Sequence, residues 1–290
     1  MDWAIYWFMF PVPMLVATTA MLSGIGGAAL FTPLFLIVFP LLGPEYMLAS
    51  AVAAIGVALL TETFGFSSGF VGYYRRGLVD FRGAIPFIAV GVPVAVAGAL
   101  LAQFTNSKIL KASYGVLMLV LAVVMMRHHE DDLALAGAAG DPTGGREMRT
   151  ITTRDGRDYI FRAPRQGIGA IATSVGAFLT GMVSVGIGEV VMPQLAKRNR
   201  VPVPVAAATS VLIVIVVVAS ASFTQISALI AEGGWNAVPW NLVCYTIPGV
   251  IIGGQIGPRL QGMVRHRTME QAIGVLFAVI GAAMLWLVFG

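Results

Sequence analysis

The stretch SGIGGAALFTP at residues 23–33 and a second version of it, VSVGIGEVVMP at residues 183–193, organise this chain. Aligning Pro33 with Pro193 gives an offset of 160 residues, and the same offset aligns Ser50 with Ser210. Offsets of 155 to 159 align further landmarks in the same order: Pro93 with Pro248, Gly98 with Gly253, and Gly115-Val116-Leu117 with Gly274-Val275-Leu276. The shared order of these landmarks predicts an internal duplication of about 100 residues, a repeat type common in transporters.

The composition predicts a polytopic membrane protein. Of the 290 residues, 58% are hydrophobic and 11% are charged, and the mean hydropathy is +0.86. Soluble domains carry about 25% charged residues. The net charge of +4 calls for no nucleic-acid partner, because Lys and Arg on cytoplasmic loops give the same balance. We therefore expect the lipid bilayer, and not nucleic acid, as the surroundings of this chain.

Eight apolar segments follow from the rule that a spanning helix needs about 20 apolar residues. Two of them, 4–42 and 164–196, are too long for one helix and contain glycine-rich breaks at 24–27 and 184–188. Asp155-Gly156 predicts a β-hairpin in the polar region 127–163. The other six segments cover about 46–73, 84–104, 109–126, 203–231, 241–258 and 270–289.

The distribution of basic residues predicts an inverted topology. Arginines place the loop after the second segment and the region 127–163 in the cytoplasm. Basic residues at 197–200 and 259–267 mark two more cytoplasmic loops, so the segment 164–196 must enter from the cytoplasm and return to it. It does so as a re-entrant hairpin or as two short passes. The predicted fold is all-α, with two inverted repeats, each a broken segment plus three transmembrane helices. Both termini are predicted on the side of the inner membrane that faces away from the cytoplasm.

This topology divides the chain into three parts. Residues 1–126 form the first transmembrane repeat, 127–163 the cytoplasmic polar loop, and 164–290 the second transmembrane repeat.

The two breaks have the chemistry of an anion site. No Lys, Arg or His lies inside a predicted span, so an anion would be held by backbone N–H groups, helix N-termini and hydroxyls. A plainer alternative is that the glycines only allow helices to pack closely. That alternative is weaker for two copies at equivalent places. The candidate binding residues are Ser23, Gly24, Ile25, Gly26, Gly27, Thr32, Ser50, Ser184, Val185, Gly186, Ile187, Gly188, Gln194, Thr209 and Ser210.

Two acids lie inside the predicted spans. Glu189 follows the second break and Glu62 lies midway along the second segment. An intramembrane carboxylate is a functional candidate by default, and either acid could bind a proton and couple its movement to transport. Alternatively, Glu189 caps its own helix and both acids are structural. The sequence leaves both interpretations open.

At these residues the chain resembles the TauE/SafE family of sulfite exporters and related anion permeases. The resemblance rests on Gly24-Ile25-Gly26-Gly27 with Pro33, on Gly186-Ile187-Gly188 with Pro193, and on Ala208-Thr209-Ser210, and it covers nearly the whole chain outside 127–163. It implies export of sulfite or a small organosulfonate, such as sulfoacetate or isethionate, as a secondary transporter working by alternating access.

Other functions remain as alternatives. One is an uptake permease or a channel for another small anion, and a second is a membrane assembly factor that uses the loop 127–163. An enzyme would need a nucleophile–base pair or a metal cluster at depth, whereas the spans hold one cysteine, Cys244, and no histidine. We predict no enzyme, cofactor or metal, and leave monomer and homodimer open.

Overall fold

A computed structural model describes residues 3–23, 26–127, 147–164, 167, 169–260 and 266–289. In the first half, helix α1 (Pro11–Ser23) is followed by α2 (Ala28–Leu42), which contains a π-helical turn at Leu34–Val38. Three long helices follow: α3 (Ala51–Arg76), α4 (Phe81–Phe104) and α5 (Ser107–Arg127). The first predicted break therefore separates two helices of 13 and 15 residues.

The second half repeats this order. Helix α6 (Gly169–Val183) is followed by α7 (Ile187–Pro193), which continues as a π-helical turn at Gln194–Arg198. Three long helices follow here too: α8 (Val203–Gly233), α9 (Trp240–Leu260) and α10 (His266–Phe289). The predicted hairpin lies between the halves, with strand β1 (Met148–Thr152) antiparallel to β2 (Asp158–Arg162).

The helices have the lengths of membrane spans. Among the described residues, five helices are long and apolar enough to cross a bilayer: Ala51–Arg76, Phe81–Phe104, Ser107–Met126, Val203–Gly233 and Gln271–Phe289. The arms of the broken segments are shorter. A helix of 15 residues is about 22 Å long, less than the roughly 30 Å of a hydrocarbon core. The molecule is an all-α polytopic membrane protein, as predicted.

Both broken segments turn back on themselves. Tyr6, just before α1, stacks on Phe39 near the end of α2, with ring centroids 5.4 Å apart. In the second half, Gln194 just after α7 donates its side-chain N–H to the carbonyl of Gly169, at the start of α6, over 2.6 Å. Each segment is therefore a helical hairpin whose two ends meet, which both forms that the sequence left open require.

The two halves exchange their packing partners. Helix α1 packs against α9 and α6 packs against α4, while α3 packs against both α8 and α9 and α4 also packs against α8. When each helix is replaced by its equivalent in the other half, the contact of α1 with α9 becomes that of α6 with α4, and the contact of α3 with α9 becomes that of α8 with α4. The contact of α3 with α8 stays the same. Helices α3 and α8 run in opposite directions, because Gly56 near the start of α3 neighbours Leu229 near the end of α8, and Asp80 after α3 bonds Thr209 near the start of α8. Antiparallel equivalents agree with the predicted inversion, whose placement relative to the membrane stays a prediction.

Two glycines at equivalent positions let these helices approach closely. A Cβ added to Gly98 of α4 would overlap the carbonyl oxygen of Phe178 in α6. A Cβ added to Gly253 of α9 would overlap the carbonyl oxygen of Met14 in α1. Small residues at helix crossings are typical of membrane packing, and here they hold the first arm of each helical hairpin against the other half.

The hairpin of the polar region packs against the turn between α3 and α4. Arg149 of β1 pairs with Asp80 at 3.2 Å, and Asp80 also accepts the N–H of Gly83 and so caps α4. The N–H of Arg154 donates to the carbonyl of Arg76 over 3.2 Å. Phe161 of β2 is buried. These contacts fix the hairpin to the end of the bundle where α3 finishes.

Candidate functional site

The breaks bring the two halves together inside the bundle. A Cβ added to Gly188, at the start of α7, would lie 3.7 Å from the backbone nitrogen of Gly26 in the first break. In the second break the chain turns through two left-handed residues, Ser184 (φ +66°) and Gly186 (φ +142°), a conformation that is uncommon for a side chain such as serine. Gly24 and Ile25 of the first break, and the side chain of Ser23, lie outside the described residues.

Glu189 links the two breaks. Its Oε2 accepts the N–H of Gly186 over 3.1 Å, which caps α7, and its Oε1 accepts the N–H of Gly26 over 3.3 Å. A carboxylate that accepts backbone N–H groups makes strong, charge-assisted hydrogen bonds. Glu189 therefore caps its own helix, and the same side chain also reaches the other half.

Glu62 lies on the other side of Gly26. Its side chain is 3% exposed, and its carboxylate interacts with the backbone N–H groups of Gly27 and Ala28 at the start of α2. A Cβ added to Gly26 would lie 2.9 Å from Glu62 Oε1 and 3.5 Å from Glu189 Oε1. The two carboxylates therefore flank the same glycine. A side chain at this position would displace the Glu62 carboxylate from where it now lies.

A small cavity adjoins Glu62. Its wall is otherwise apolar and includes Ala20 and Met21 of α1, Phe31 of α2 and Val250 of α9. It has room for about one water molecule. Glu62 thus faces the breaks on one side and a narrow apolar space on the other.

Two hydroxyl contacts complete the breaks. Thr32 of α2 and Ser184 of the second break lie 2.6 Å apart and are buried. Thr180 of α6 accepts the N–H of Ile187 over 2.8 Å. The sequence analysis did not single out Thr180, although its place one turn before the break is a position from which a hydroxyl can reach a free N–H group. Val185, Ile187 and Gly188 are buried around these contacts.

Four of the candidate binding residues form their hydrogen bonds away from the two breaks. The Ser50 hydroxyl caps α3 by accepting the N–H of Ala53, and that of Ser210 donates to Ala207 on its own helix. The Thr209 hydroxyl accepts the N–H of Asp80, at the turn where the hairpin packs. Gln194 binds Gly169 and Thr173 at the start of α6. In this structure these polar groups bind protein atoms outside the two breaks.

The breaks form a set of backbone donors that is suited to oxygen anions. The N–H groups of Gly26 and Gly186 bind Glu189, those of Gly27 and Ala28 face Glu62, and that of Ile187 binds Thr180. Backbone N–H groups at helix starts bind phosphate, sulfate and carboxylate ligands in many proteins. Here the oxygens that they bind belong to the protein.

Broken helical segments that meet within a bundle of long apolar helices are the architecture of a membrane transporter. The sequence comparisons agree with this class. Residues 9–284 match the model of the sulfite exporter TauE/SafE family, and the chain belongs to that family. The match includes both breaks and both acids.

Named relatives are distant but cover nearly the whole chain. The chain is 22% identical to the "Probable membrane transporter protein YunE" of Bacillus subtilis over 273 residues, 94% of each protein. It is 23% identical to a "Probable membrane transporter protein" of Xylella fastidiosa over 271 residues, 91% of this chain and 89% of the relative. No solved structure matches the chain.

Proposed function

We propose that this transporter exports a small sulfur-containing anion, sulfite or an organosulfonate such as sulfoacetate or isethionate, from the cytoplasm by alternating access around the two breaks. One observation carries the proposal: Glu189 binds the N–H groups of both breaks at once. Backbone donors from both halves thus converge on one set of oxygens. Sulfite and sulfonates present three oxygens, which suit such a group of donors.

The two carboxylates suggest how the binding of the anion is coupled to the binding of a proton. While Glu189 is ionised, its oxygens hold the N–H groups that an anion needs, and Glu62 repels an anion from the other side of Gly26. A proton on either carboxyl removes a negative charge and weakens its hold on the N–H groups. We therefore assign Glu62 and Glu189 as proton-coupling residues, with the proton and the anion moving together.

The membrane potential favours export of a charged anion. An inside-negative potential favours the outward movement of an anion by about 2.3 kcal/mol per charge per 100 mV. If one proton accompanied a singly charged anion outward, the net charge moved would be zero, and an inward-directed proton gradient would oppose export. A doubly charged anion with one proton would still respond to the potential.

We place the protein in the inner membrane with both termini outside. In this scheme residues 1–126 and 164–290 are the two transmembrane repeats, and 127–163 is a cytoplasmic loop. The hairpin then lies on the cytoplasmic side, beside the basic residues Arg75, Arg76 and Arg82, as the positive-inside rule requires.

The test is anion binding to the purified full-length protein by calorimetry, with sulfite, isethionate, sulfoacetate, sulfate and chloride as probes. Gly26→Leu places a side chain between Glu62 and Glu189, and we expect it to weaken binding at least tenfold. Gly72→Leu is the matched control, because a Cβ at Gly72 of α3 has no atom within 4 Å. Binding of a sulfur anion that persists in Gly26→Leu would remove the breaks from the proposal.

Two further results would contradict the substrate class. Binding of chloride or sulfate alone would indicate a permease or channel for another anion. Absence of binding by every probe would favour an assembly role, which deletion of 147–163 and a search for a lost partner would then test. A protein that binds sulfite and keeps binding it after that deletion supports the proposal.

A further inference from the structure

Gln225 of α8 is a buried side chain that joins three helices. Its exposed fraction is 0%. Its amide N–H donates to the carbonyl of Gly181 in α6 over 3.1 Å, and its amide oxygen accepts the side-chain N–H of Gln103 in α4. A carbonyl oxygen only accepts, so the bond to Gly181 fixes which end of the amide faces Gln103. A buried polar side chain with both ends bonded holds its neighbours in one arrangement.

Gly181 lies near the end of the first arm of the second helical hairpin. Helix α6 ends at Val183, and the last carbonyls of a helix have no partner within it. Gln225 supplies the partner for the carbonyl of Gly181 from another helix. A Cβ added to Gly181 would overlap the carbonyl oxygen of Ala95 in α4. The end of α6 is therefore held against α4 by close packing and against α8 by the amide of Gln225.

The residue before Gly181 makes two hydrogen bonds within the second break. The hydroxyl of Thr180 accepts the N–H of Ile187 over 2.8 Å, and its carbonyl accepts the N–H of Ser184 over 2.8 Å. A bond that fixes Gly181 therefore also fixes Thr180, on which the turn from Ser184 to Ile187 is built. Gln225 lies outside the break and acts on it through the end of α6.

The first half carries no amide at the equivalent position. The offset of 160 residues pairs Gln225 with Gly65 and Gly181 with Met21. Gly65 and Met21 both line the small cavity beside Glu62, and neither has a side-chain N–H to donate. The equivalent helices of the first half thus pack without an amide at this place. The bond from Gln225 to Gly181 is specific to the second half.

We propose that Gln225 is a positioning residue of the anion site. By holding the end of α6, its amide keeps the turn from Ser184 to Ile187 in the conformation that presents the N–H groups of the second break. The inference rests on the proposed function, in which such N–H groups bind oxygens of the transported anion. Gln225 does not contact the anion. Without its bond to Gly181 the second break is less ordered and binds the anion more weakly.

The experiment compares Gln225→Met with Gln255→Met in the purified full-length protein. Gln255 of α9 also bridges two helices, because its amide donates to the carbonyl and to the hydroxyl of Ser68 in α3. Both substitutions remove a bridging amide at similar side-chain volume, so both should lower the melting temperature. With sulfite and isethionate as calorimetric probes, we expect Gln225→Met to weaken binding of at least one probe about tenfold. Gln255→Met should change it less than about twofold.

Hydrogen exchange without added anion is the readout that a merely structural role would not move. Gln225→Met should speed the exchange of the backbone amides of residues 184–187 about tenfold over wild type, because these amides exchange when the break opens locally. Gln255→Met should leave them unchanged. If Gln225→Met does not accumulate, Gln225→Asn replaces it, since a side chain one methylene shorter withdraws the amide from Gly181.

The possible outcomes separate the two proposals. If wild type binds a sulfur anion and Gln225→Met binds it as well as Gln255→Met does, this inference is wrong and the proposed function stands. Exchange at residues 184–187 that is equally slow in both variants would also overturn the inference. If wild type binds no sulfur anion, the proposed function is wrong, and faster exchange in Gln225→Met alone would still support Gln225 as the residue that holds the second break.

Discussion

The hydroxyls of Thr32 and Ser184 lie 2.6 Å apart, although 152 residues separate them in sequence. Thr32 belongs to the second arm of the first helical hairpin, and Ser184 to the turn of the second. Both side chains are buried, so water does not compete for this hydrogen bond between the two hairpins. Together with the bond from Gly26 to Glu189, it fixes how the two breaks face each other.

This contact predicts an energetic coupling between Thr32 and Ser184. Thr32→Val and Ser184→Ala should each destabilise the protein, and the double variant should lose less than the sum, with a coupling free energy of about 1 kcal/mol. Unfolding of the purified protein in detergent measures it. Thr105→Val is the control, because that exposed hydroxyl bonds only its own helix. Additive effects of the two substitutions would show that the hydroxyls do not interact in the folded protein.

A second prediction concerns pH and the two acids. Isethionate keeps its charge across the neutral range, so a change in its affinity reports on the protein. Raising the pH favours the ionised carboxylates, which hold the N–H groups, and the affinity should fall by up to about tenfold per pH unit for one coupled proton. The double variant Glu62→Gln/Glu189→Gln should bind with an affinity independent of pH. Glu232→Gln, at an exposed site near the end of α8, should keep the wild-type dependence of isethionate affinity on pH. If the double variant also kept that dependence, neither acid would be the coupled group.

A third prediction concerns the close helix crossings. Gly98→Ala and Gly253→Ala each place a methyl group against a backbone carbonyl, and overpacking of this kind typically costs about 1–3 kcal/mol. Melting temperatures should fall in both variants. Gly72→Ala should melt at or slightly above the wild-type temperature, because its Cβ has free space and alanine is the better helix former. A wild-type melting temperature for Gly98→Ala would indicate that the crossing is looser than described.

The fourth prediction tests the topology. The single cysteine, Cys244, is exposed, so new cysteines are placed in a Cys244→Ser background at Glu45, Asp155 or Glu232, all exposed. A membrane-impermeant maleimide added to intact cells should label the variants at Glu45 and Glu232. It should label the variant at Asp155 only after the membrane is opened. Labelling of Asp155 in intact cells would reverse the predicted orientation.

Local signals in the sequence predicted most of the fold. The glycine-rich breaks, the long apolar segments and the Asp155-Gly156 turn were each legible within a few dozen residues, and the helices and the hairpin lie where these signals put them. The loop charges required each broken segment to return to the side from which it entered, and the contacts of Tyr6 with Phe39 and of Gln194 with Gly169 agree with that return. A re-entrant hairpin and two short passes give the same loop charges and the same meeting of the two ends.

The site was harder to predict from the sequence, because its contacts join residues of the two halves. A cap of its own helix was one of two interpretations of Glu189, but its bond to Gly26 depends on how two distant breaks meet. Thr209 was grouped with the breaks because of its motif, whereas its hydroxyl binds Asp80 at the end of the bundle.

The exchanged packing of the first arms has a consequence for biosynthesis. Helix α1 is among the first parts of the chain to be made, yet the helix that it packs against, α9, is among the last. Contacts of such high sequence separation form late and slow folding. The first half is therefore in the bilayer before α1 can pack against α9. If the two halves are expressed as separate chains, each should accumulate only when both are made together.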